Sequence, residues 1–100
     1  MPGIRHVVPV ILNYEEGDPR VKEFFDKAKE MLGSIPEAIE YHHYKQTNPN
    51  SPYTHGFVLE FKSEEDYQKY LEHPQAEEYT EKYWNPGLKE CLDFNFEEFD

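Results

Sequence analysis

Two histidines and a tyrosine are the residues best suited to proton-transfer chemistry in this chain. His6 lies in the first apolar segment, His55 begins a later one, and Tyr70 follows at the end of a helical pattern. A neutral imidazole accepts a proton near neutral pH, and a phenol donates a hydrogen bond to a carbonyl oxygen. All three can also be plain hydrogen-bonded core residues. In a shared pocket, they would support acid–base chemistry on a carbonyl compound.

The other reactive residues are weaker candidates for a functional site. His42 and His43 are adjacent in a predicted strand, so they point to opposite faces and cannot chelate one metal ion together. The chain has no glycine-rich phosphate loop, and we expect neither a metal nor another cofactor. The lone Cys91 excludes an internal disulfide. It is a candidate nucleophile or, more simply, a small buried apolar residue.

Composition limits the possible partners. The 100 residues contain 21 acids and 10 bases, a formal net charge of -11, which repels nucleic acid and anionic membranes. No apolar run is long enough to span a bilayer, and Val7 to Leu12 is too short for a signal peptide. We therefore expect one domain covering residues 1–100, located in the cytoplasm, with no nucleic-acid or membrane partner.

Four segments have the patterns of strands. Tyr53 to Lys62 alternates large apolar residues with small or polar ones, and a proline-rich loop precedes it. Ile4 to Asn13 is nearly continuously apolar, although Pro9 inside it suggests a bulge or an edge. The other two predicted strands are Ala38 to Thr47 and Leu88 to Phe99, the last with Leu92, Phe94 and Phe96 on one face.

Helices are predicted in the segments between these strands. Asp18 and Pro19 are typical of a helix start, and an apolar stripe from Val21 to Leu32 follows. Ser63 begins a second helix that ends at His73, where Pro74 begins a further short helix up to Trp84. The order predicts an α+β, ferredoxin-like βαββαβ fold with an antiparallel sheet and both helices on one face.

The expected strand order brings the candidate residues together. Within this sheet we expect strand one to lie beside strand three and, for this pair, parallel to it. His6 and His55 would then lie at the same end of the helix-covered face, near Tyr70. The same face would carry these pocket residues: Val8, Val10, Phe57, His73 and Tyr79.

The other face of the sheet predicts a homodimer. Strand one is apolar on both sides, since Val7 and Ile11 alternate with Val8 and Val10. Helices cover only one of these sides, and Val58 adds to the uncovered one. An exposed apolar face of this extent is typical of an interface between two copies.

Three short motifs resemble one family. Ile4-Arg5-His6-Val7-Val8, Tyr53-Thr54-His55-Gly56 and Tyr70-Leu71-Glu72-His73-Pro74, together with the order of elements, resemble the stress-responsive A/B barrel (Dabb) domain. The resemblance implies ferredoxin-like subunits that pair into a dimeric α/β barrel. Most members have no assigned activity, and some, such as olivetolic acid cyclase, are polyketide cyclases with a hydrophobic pocket.

The resemblance also implies roles for individual residues. Tyr70 matches the tyrosine of the cyclases' acid–base pair, whereas their His-Pro-x-His motif reads His73-Pro74-Gln75-Ala76 here. Alanine cannot transfer a proton, so the cyclase mechanism does not carry over unchanged. His6 and His55 match positions near the family's pocket, and four aromatic residues match its lining: Phe24, Phe25, Phe57 and Tyr79.

Three functions stay open at this point. The first is binding of a small hydrophobic or carbonyl-containing molecule in an aromatic pocket. The second is a polyketide cyclase or lyase-type activity that uses His6, His55 and Tyr70. The third is a non-catalytic homodimeric protein of stress response or assembly, in which the aromatic side chains simply form the core.

Overall fold

The elements follow each other as the sequence predicts. The computed structural model describes residues 3–99. Its strands are β1 (Ile4–Leu12), β2 (Ala38–Lys45), β3 (His55–Phe61), β4 (Leu88–Cys91) and β5 (Phe94–Phe96). Its main helices are α1 (Pro19–Met31), α2 (Glu64–Glu72) and α3 (Pro74–Tyr79). A π-helical segment (Thr80–Trp84) and an α-helical turn (Asn85–Gly87) lead from α3 into β4.

Side-chain caps begin the helices where the sequence indicates. The Asp18 carboxylate accepts a hydrogen bond from the Arg20 backbone N–H at 2.9 Å, and Pro19 occupies the first turn of α1. The Ser63 hydroxyl accepts one from the Asp66 N–H at 3.2 Å at the start of α2. Within residues 3–99, no helix has the length and apolar character needed to cross a membrane.

The sheet has the order β2-β3-β1-β4, with β5 also paired to β1, and every pairing is antiparallel. The expected parallel pairing of strands one and three is therefore wrong. The crossover through α1 returns the chain so that β2 runs in the direction of β1. Because β3 lies between them and is the hairpin partner of β2, it opposes both.

Pro9 lies inside the central strand and interrupts its partner. The Leu92 N–H donates to the Pro9 carbonyl oxygen at 3.0 Å, but Pro9 has no N–H to return the bond. The pairing register is the same on both sides, since Val10 faces Cys91 and Val7 faces Phe94. The predicted single last strand is thus divided into β4 and β5 by one missing hydrogen bond, with no change of register.

The two faces of the sheet differ in burial. The helix-covered face carries the core strand residues Val8, Val10, Leu12, Phe57, Leu59 and Phe61, against buried aromatic residues of α1, α2 and α3. The opposite face carries Val7 paired with Val58 at its centre. Large exposed apolar side chains surround that centre: Tyr44, Leu92, Phe94 and Phe96. The alternation predicted for β1 is confirmed on both faces.

Candidate functional site

A cavity of about 590 Å³ lies between the helices and the covered face of the sheet. Its floor is formed by Val8, Phe57 and Leu59 of the central strands. The helical side contributes Tyr70, Ala76, Tyr79 and Trp84, and the β4–β5 edge contributes Cys91 and Asp93. His6 also lines this cavity. It is a largely apolar space of the size of a small-ligand site, and several polar and acidic side chains also line it.

His6 is held by the last strand. It lies opposite Asn95 in the β1–β5 pairing, and the two side chains share a hydrogen bond of 2.7 Å between Nδ1 and Oδ1. An Asp93 carboxylate oxygen lies 3.4 Å from the same nitrogen. The ring packs against Tyr67 with centroids 5.0 Å apart, and its side chain is buried. Strand register and aromatic packing together fix the position of this imidazole.

The hydrogen bond to Asn95 sets the tautomer of His6. An amide oxygen only accepts, so Nδ1 carries the proton and Nε2 of the neutral ring keeps its lone pair. Within residues 3–99, Nε2 has no hydrogen-bond partner. Every fully buried side-chain nitrogen or oxygen in this range does have one, so Nε2 is not fully buried. Nε2 is therefore within reach of a water-sized molecule and is available as a proton acceptor.

Tyr70 places a hydroxyl in the same cavity. The residue is 6% exposed, and burial raises the pKa of its hydroxyl, which therefore stays protonated at neutral pH. Its ring centroid lies 6.4 Å from that of His6. In the described part of the chain this hydroxyl has no hydrogen-bond partner. Because no fully buried side-chain oxygen there lacks a partner, the Tyr70 oxygen must be accessible from the cavity. A ligand carbonyl oxygen in the cavity can thus accept a hydrogen bond from this hydroxyl.

His55 lies elsewhere, contrary to the prediction of one shared pocket. It shares the covered face with His6, but it pairs with Val10 whereas His6 pairs with Leu59. The two positions are four residues apart along β1, about 13 Å at ~3.3 Å per strand residue. His55 lines a separate cavity of about 360 Å³ under the β2–β3 loop, beside Lys45 and Tyr53. Antiparallel pairing of β1 and β3 is the reason.

The His55 ring is nevertheless in a defined environment. Its Nδ1 lies 2.9 Å from the Thr54 hydroxyl, and its ring packs against Phe25 with centroids 5.0 Å apart. Burial, with a smaller effect of Lys45, lowers the pKa of this imidazole below its ordinary value. His55 is therefore mainly neutral at physiological pH.

The remaining predicted pocket residues divide into two groups. Val8, Phe57 and Tyr79 line the cavity with His6 and Tyr70. Val10, Phe24 and Phe25 are core residues that do not line it. The Tyr79 hydroxyl donates a hydrogen bond to the Phe24 carbonyl oxygen at 2.9 Å, so it cannot donate the same proton to a ligand.

His73 has a structural contact at this place in the chain. Its Nδ1 accepts a hydrogen bond from the Gln75 backbone N–H at 3.1 Å and so caps the start of α3. The residues that line the cavity do not include His73, so its contribution to a ligand site stays a prediction. Neighbouring Ala76 does line the cavity.

The structure also adds residues that sequence reasoning missed. Asn95 and Asp93 contact His6, and Trp84 lines the cavity from the π-helical segment. Alternation along the last strand would have placed Asn95 opposite the apolar row of Phe94 and Phe96, on the face of His6. The π-helix has no comparable sequence signal; such segments are frequent at functional sites.

Cys91 lines the cavity as well, but its thiol is poorly suited to attack. Burial raises the pKa of this thiol, so the reactive thiolate is disfavoured. Among residues 3–99, no group of three or more His, Cys, Asp or Glu side chains is arranged to hold a metal ion. Proton transfer and hydrogen bonding are thus what His6 and Tyr70 can offer a ligand.

Several known proteins share this architecture. A Dabb family protein from Mesorhizobium loti with a ferredoxin-like fold is 25% identical, with a TM-score of 0.95 over 100% of both chains. A dimeric ferredoxin-like protein of unknown function from Thermobifida fusca is 19% identical, with a TM-score of 0.81 over 97% of this chain and 92% of that chain. A hydroxynitrile lyase from Passiflora edulis is 16% identical, with a TM-score of 0.84 over 98% and 94%.

Sequence comparison gives the family. No curated protein matches the chain. The family model of the stress responsive A/B barrel domain matches residues 4–97, which is nearly the whole sequence and confirms the resemblance drawn from the three motifs. With its motifs, its antiparallel ferredoxin-like sheet and this match, the chain belongs to the stress-responsive A/B barrel (Dabb) domain family.

Proposed function

We propose that this protein binds a small hydrophobic molecule that carries a carbonyl group, in the cavity between the helices and the sheet. The observation that supports this most directly is the pairing of two available polar atoms, the Tyr70 hydroxyl and His6 Nε2, on one largely apolar cavity. Sites for small molecules typically combine apolar walls with a few such groups.

The cavity suggests how the ligand lies. Its apolar part packs against Phe57, Tyr79 and Trp84. Its carbonyl oxygen accepts a hydrogen bond from Tyr70, whose hydroxyl has no partner among residues 3–99. Such a bond adds specificity because the apolar walls cannot recognise a polar group.

Trp84 provides the test, because it is the single tryptophan of the chain and lines the cavity. Acetophenone, a neutral aromatic ketone, is titrated against the protein while tryptophan fluorescence is recorded. We expect saturable quenching that weakens several-fold in Tyr70→Phe, since a hydrogen bond contributes about 0.5–1.5 kcal/mol. Tyr83→Phe, which changes a tyrosine outside the cavity, is the matched control. Equal affinity of both variants would contradict the assigned orientation.

A second candidate function is an acid–base enzyme of the lyase or cyclase type. The observation that favours this function is the free lone pair on His6 Nε2. The hydrogen bond from Nδ1 to Asn95 holds the ring in this tautomer and orientation. His6 would take a proton from the carbon next to the ligand carbonyl while Tyr70 stabilises the developing oxyanion. His55 has no part in this scheme because it lies at the other cavity, and Ala76 supplies no second proton carrier.

Hydrogen exchange tests this second function without a known substrate. In D₂O, an enzyme of this kind replaces the methyl protons of acetophenone by deuterium, which NMR detects. We expect His6→Gln to abolish the protein-dependent exchange, and His55→Gln to leave it nearly unchanged. Exchange no faster than in buffer alone would leave binding as the function.

We further infer that two copies of the chain pair through the uncovered face of the sheet. This face exposes apolar side chains around the Val7–Val58 pair, among them Leu92, Phe94 and Phe96. The similar Thermobifida fusca protein is dimeric, which supports the same arrangement here. Sedimentation at micromolar concentration tests it, and a monomer would contradict the proposal.

A further inference from the structure

We propose that the carbonyl-containing ligand of the His6–Tyr70 cavity also carries a positive charge, and that its class is a hydrophobic organic amine. This inference rests on the proposed binding function and specifies which molecules the cavity admits. It follows from the charges at the rim of the cavity and from the aromatic side chains beside them.

Among residues 3–99, the exposed charged side chains that line the cavity, here called its rim, are all carboxylates. Glu77, Glu81 and Asp93 line the cavity, and all three are exposed residues. The lining includes no lysine or arginine. A concave site surrounded by charges of one sign concentrates ligands of the opposite sign and repels those of the same sign. A carboxylate or phosphate on the ligand would meet this repulsion without any compensating cation.

Basic side chains close to the rim in sequence pair with other carboxylates. Lys82, next to Glu81 in sequence, pairs with Glu78 at 2.7 Å. On α2, Lys69 pairs with Glu65 at 3.5 Å. Neither Glu77 nor Glu81 forms an ion pair with any residue between 3 and 99. The rim charge is therefore available to a ligand.

Glu77 and Glu81 also repel each other. They are four residues apart across the junction of α3 and the π-helical segment, and they line the same cavity. Like charges at this spacing destabilise a helix. Two like charges at this spacing would gain from a cation bound near both of them.

Aromatic side chains complete a site for a cation. Trp84 and Tyr79 line the cavity together with the two glutamates. The faces of aromatic rings attract ammonium groups, and tryptophan does so most strongly. The apolar body of such a ligand can pack on the aromatic side chains. Its ammonium group can contact both the aromatic ring faces and the carboxylates.

Three small probes with the same ring separate these effects: benzylamine, benzyl alcohol and benzoate. Their binding is followed by Trp84 fluorescence at neutral pH, with acetophenone as the neutral reference for the proposed function. In low salt, we expect benzylamine to bind about tenfold more tightly than benzoate, with benzyl alcohol between them. In 0.5 M NaCl the difference should shrink to about threefold or less, because salt screens exposed charges.

Two double variants assign the effect to the rim. Glu77→Gln/Glu81→Gln should remove most of the preference for benzylamine. Glu23→Gln/Glu37→Gln changes the net charge equally, away from the cavity, and should retain the preference. Both rim residues are exposed, so these variants are expected to fold normally.

The outcomes separate this inference from the proposed function. Benzoate binding as tightly as benzylamine, with acetophenone still bound, would overturn the charge selection alone. Equal effects of the two double variants would also overturn it, because the net charge rather than the rim would then be responsible. Quenching by none of the four compounds would overturn the proposed function and this inference together.

Discussion

Asn95 determines which nitrogen of His6 is available for chemistry. Its amide oxygen accepts the Nδ1 proton at 2.7 Å, and the lone pair is then on Nε2. Tyr70 and Tyr79 differ in the same way, in whether the hydroxyl already has a hydrogen-bond partner in the protein. Both are buried, but among residues 3–99 only the Tyr79 hydroxyl has a partner, the Phe24 carbonyl oxygen. The Tyr70 hydroxyl can therefore bond to the proposed ligand, whereas the Tyr79 hydroxyl is already bonded to the protein.

This contrast gives a stability prediction for two matched variants. Tyr79→Phe removes the hydrogen bond from this hydroxyl to the Phe24 carbonyl oxygen, which keeps its partner within α1, and should lower the free energy of unfolding by about 1 kcal/mol. Tyr70→Phe removes no intramolecular hydrogen bond and should change it by less than about 0.5 kcal/mol. Urea denaturation measures both. A larger loss in Tyr70→Phe would show that its hydroxyl has a structural partner.

His55 predicts a pH dependence of stability. Burial lowers its folded-state pKa below the unfolded value near 6.5, so the folded state disfavours the protonated ring. The stability from neutral His55 is fully present above the unfolded pKa and is lost as pH falls through the folded pKa. His55→Asn should therefore lose less stability than the natural protein between pH 7.5 and pH 5 in urea denaturation. Parallel pH profiles would contradict this.

At the scale of elements, the start of α3 depends on one side chain. Pro74 supplies the first helical residue, and the His73 imidazole accepts the Gln75 N–H. The orientation of α3 matters because Ala76 and Tyr79 of this helix line the cavity. The cap thus acts on the site only through the position of the helix.

Substitution of His73 tests this role. His73→Ala should destabilise the protein by about 1 kcal/mol, whereas His73→Asn, whose side-chain oxygen can also cap, should lose little. Neither variant should change acetophenone affinity under conditions where both are folded. A tenfold loss of affinity in His73→Asn with normal stability would instead indicate ligand contact.

Pro9 gives a second prediction for an element. Pro9→Val supplies the N–H that β1 lacks opposite Leu92, so β4 and β5 should join into one hydrogen-bonded strand. The new hydrogen bond offsets the loss of proline's restriction of the unfolded chain, and the stability should change by less than about 1 kcal/mol. In hydrogen exchange by NMR, the new amide should be protected. Rapid exchange would contradict this account of the interruption.

At the scale of the whole molecule, the proposed dimer forms through the uncovered face of the sheet. Phe94 lies opposite Val7 on this face and is 41% exposed, whereas Phe99 is 96% exposed and follows the last strand. A buried aspartate in an apolar interface is strongly unfavourable, so Phe94→Asp should yield monomers in sedimentation. Phe99→Asp is the control for the same chemical change and should stay dimeric. A dimeric Phe94→Asp would place the interface elsewhere.

Much of this protein follows from the sequence alone. Local patterns determine the elements, because alternation specifies strands such as β3, and Asp18, Ser63 and Pro74 specify where helices begin. Period-two alternation also placed His6 on the covered face and Val7 on the other, since neighbouring side chains of a strand point to opposite sides.

Only the tertiary structure decided which residues meet. Whether His6 and His55 lie together depends on the direction of β3 relative to β1, and this direction follows from the crossover and the hairpin rather than from either segment. Contacts between Asn95 and His6 join residues far apart in the chain, so no local pattern contains them. The cavity itself is the space that the packed elements leave unfilled, and its volume exists only once they are assembled.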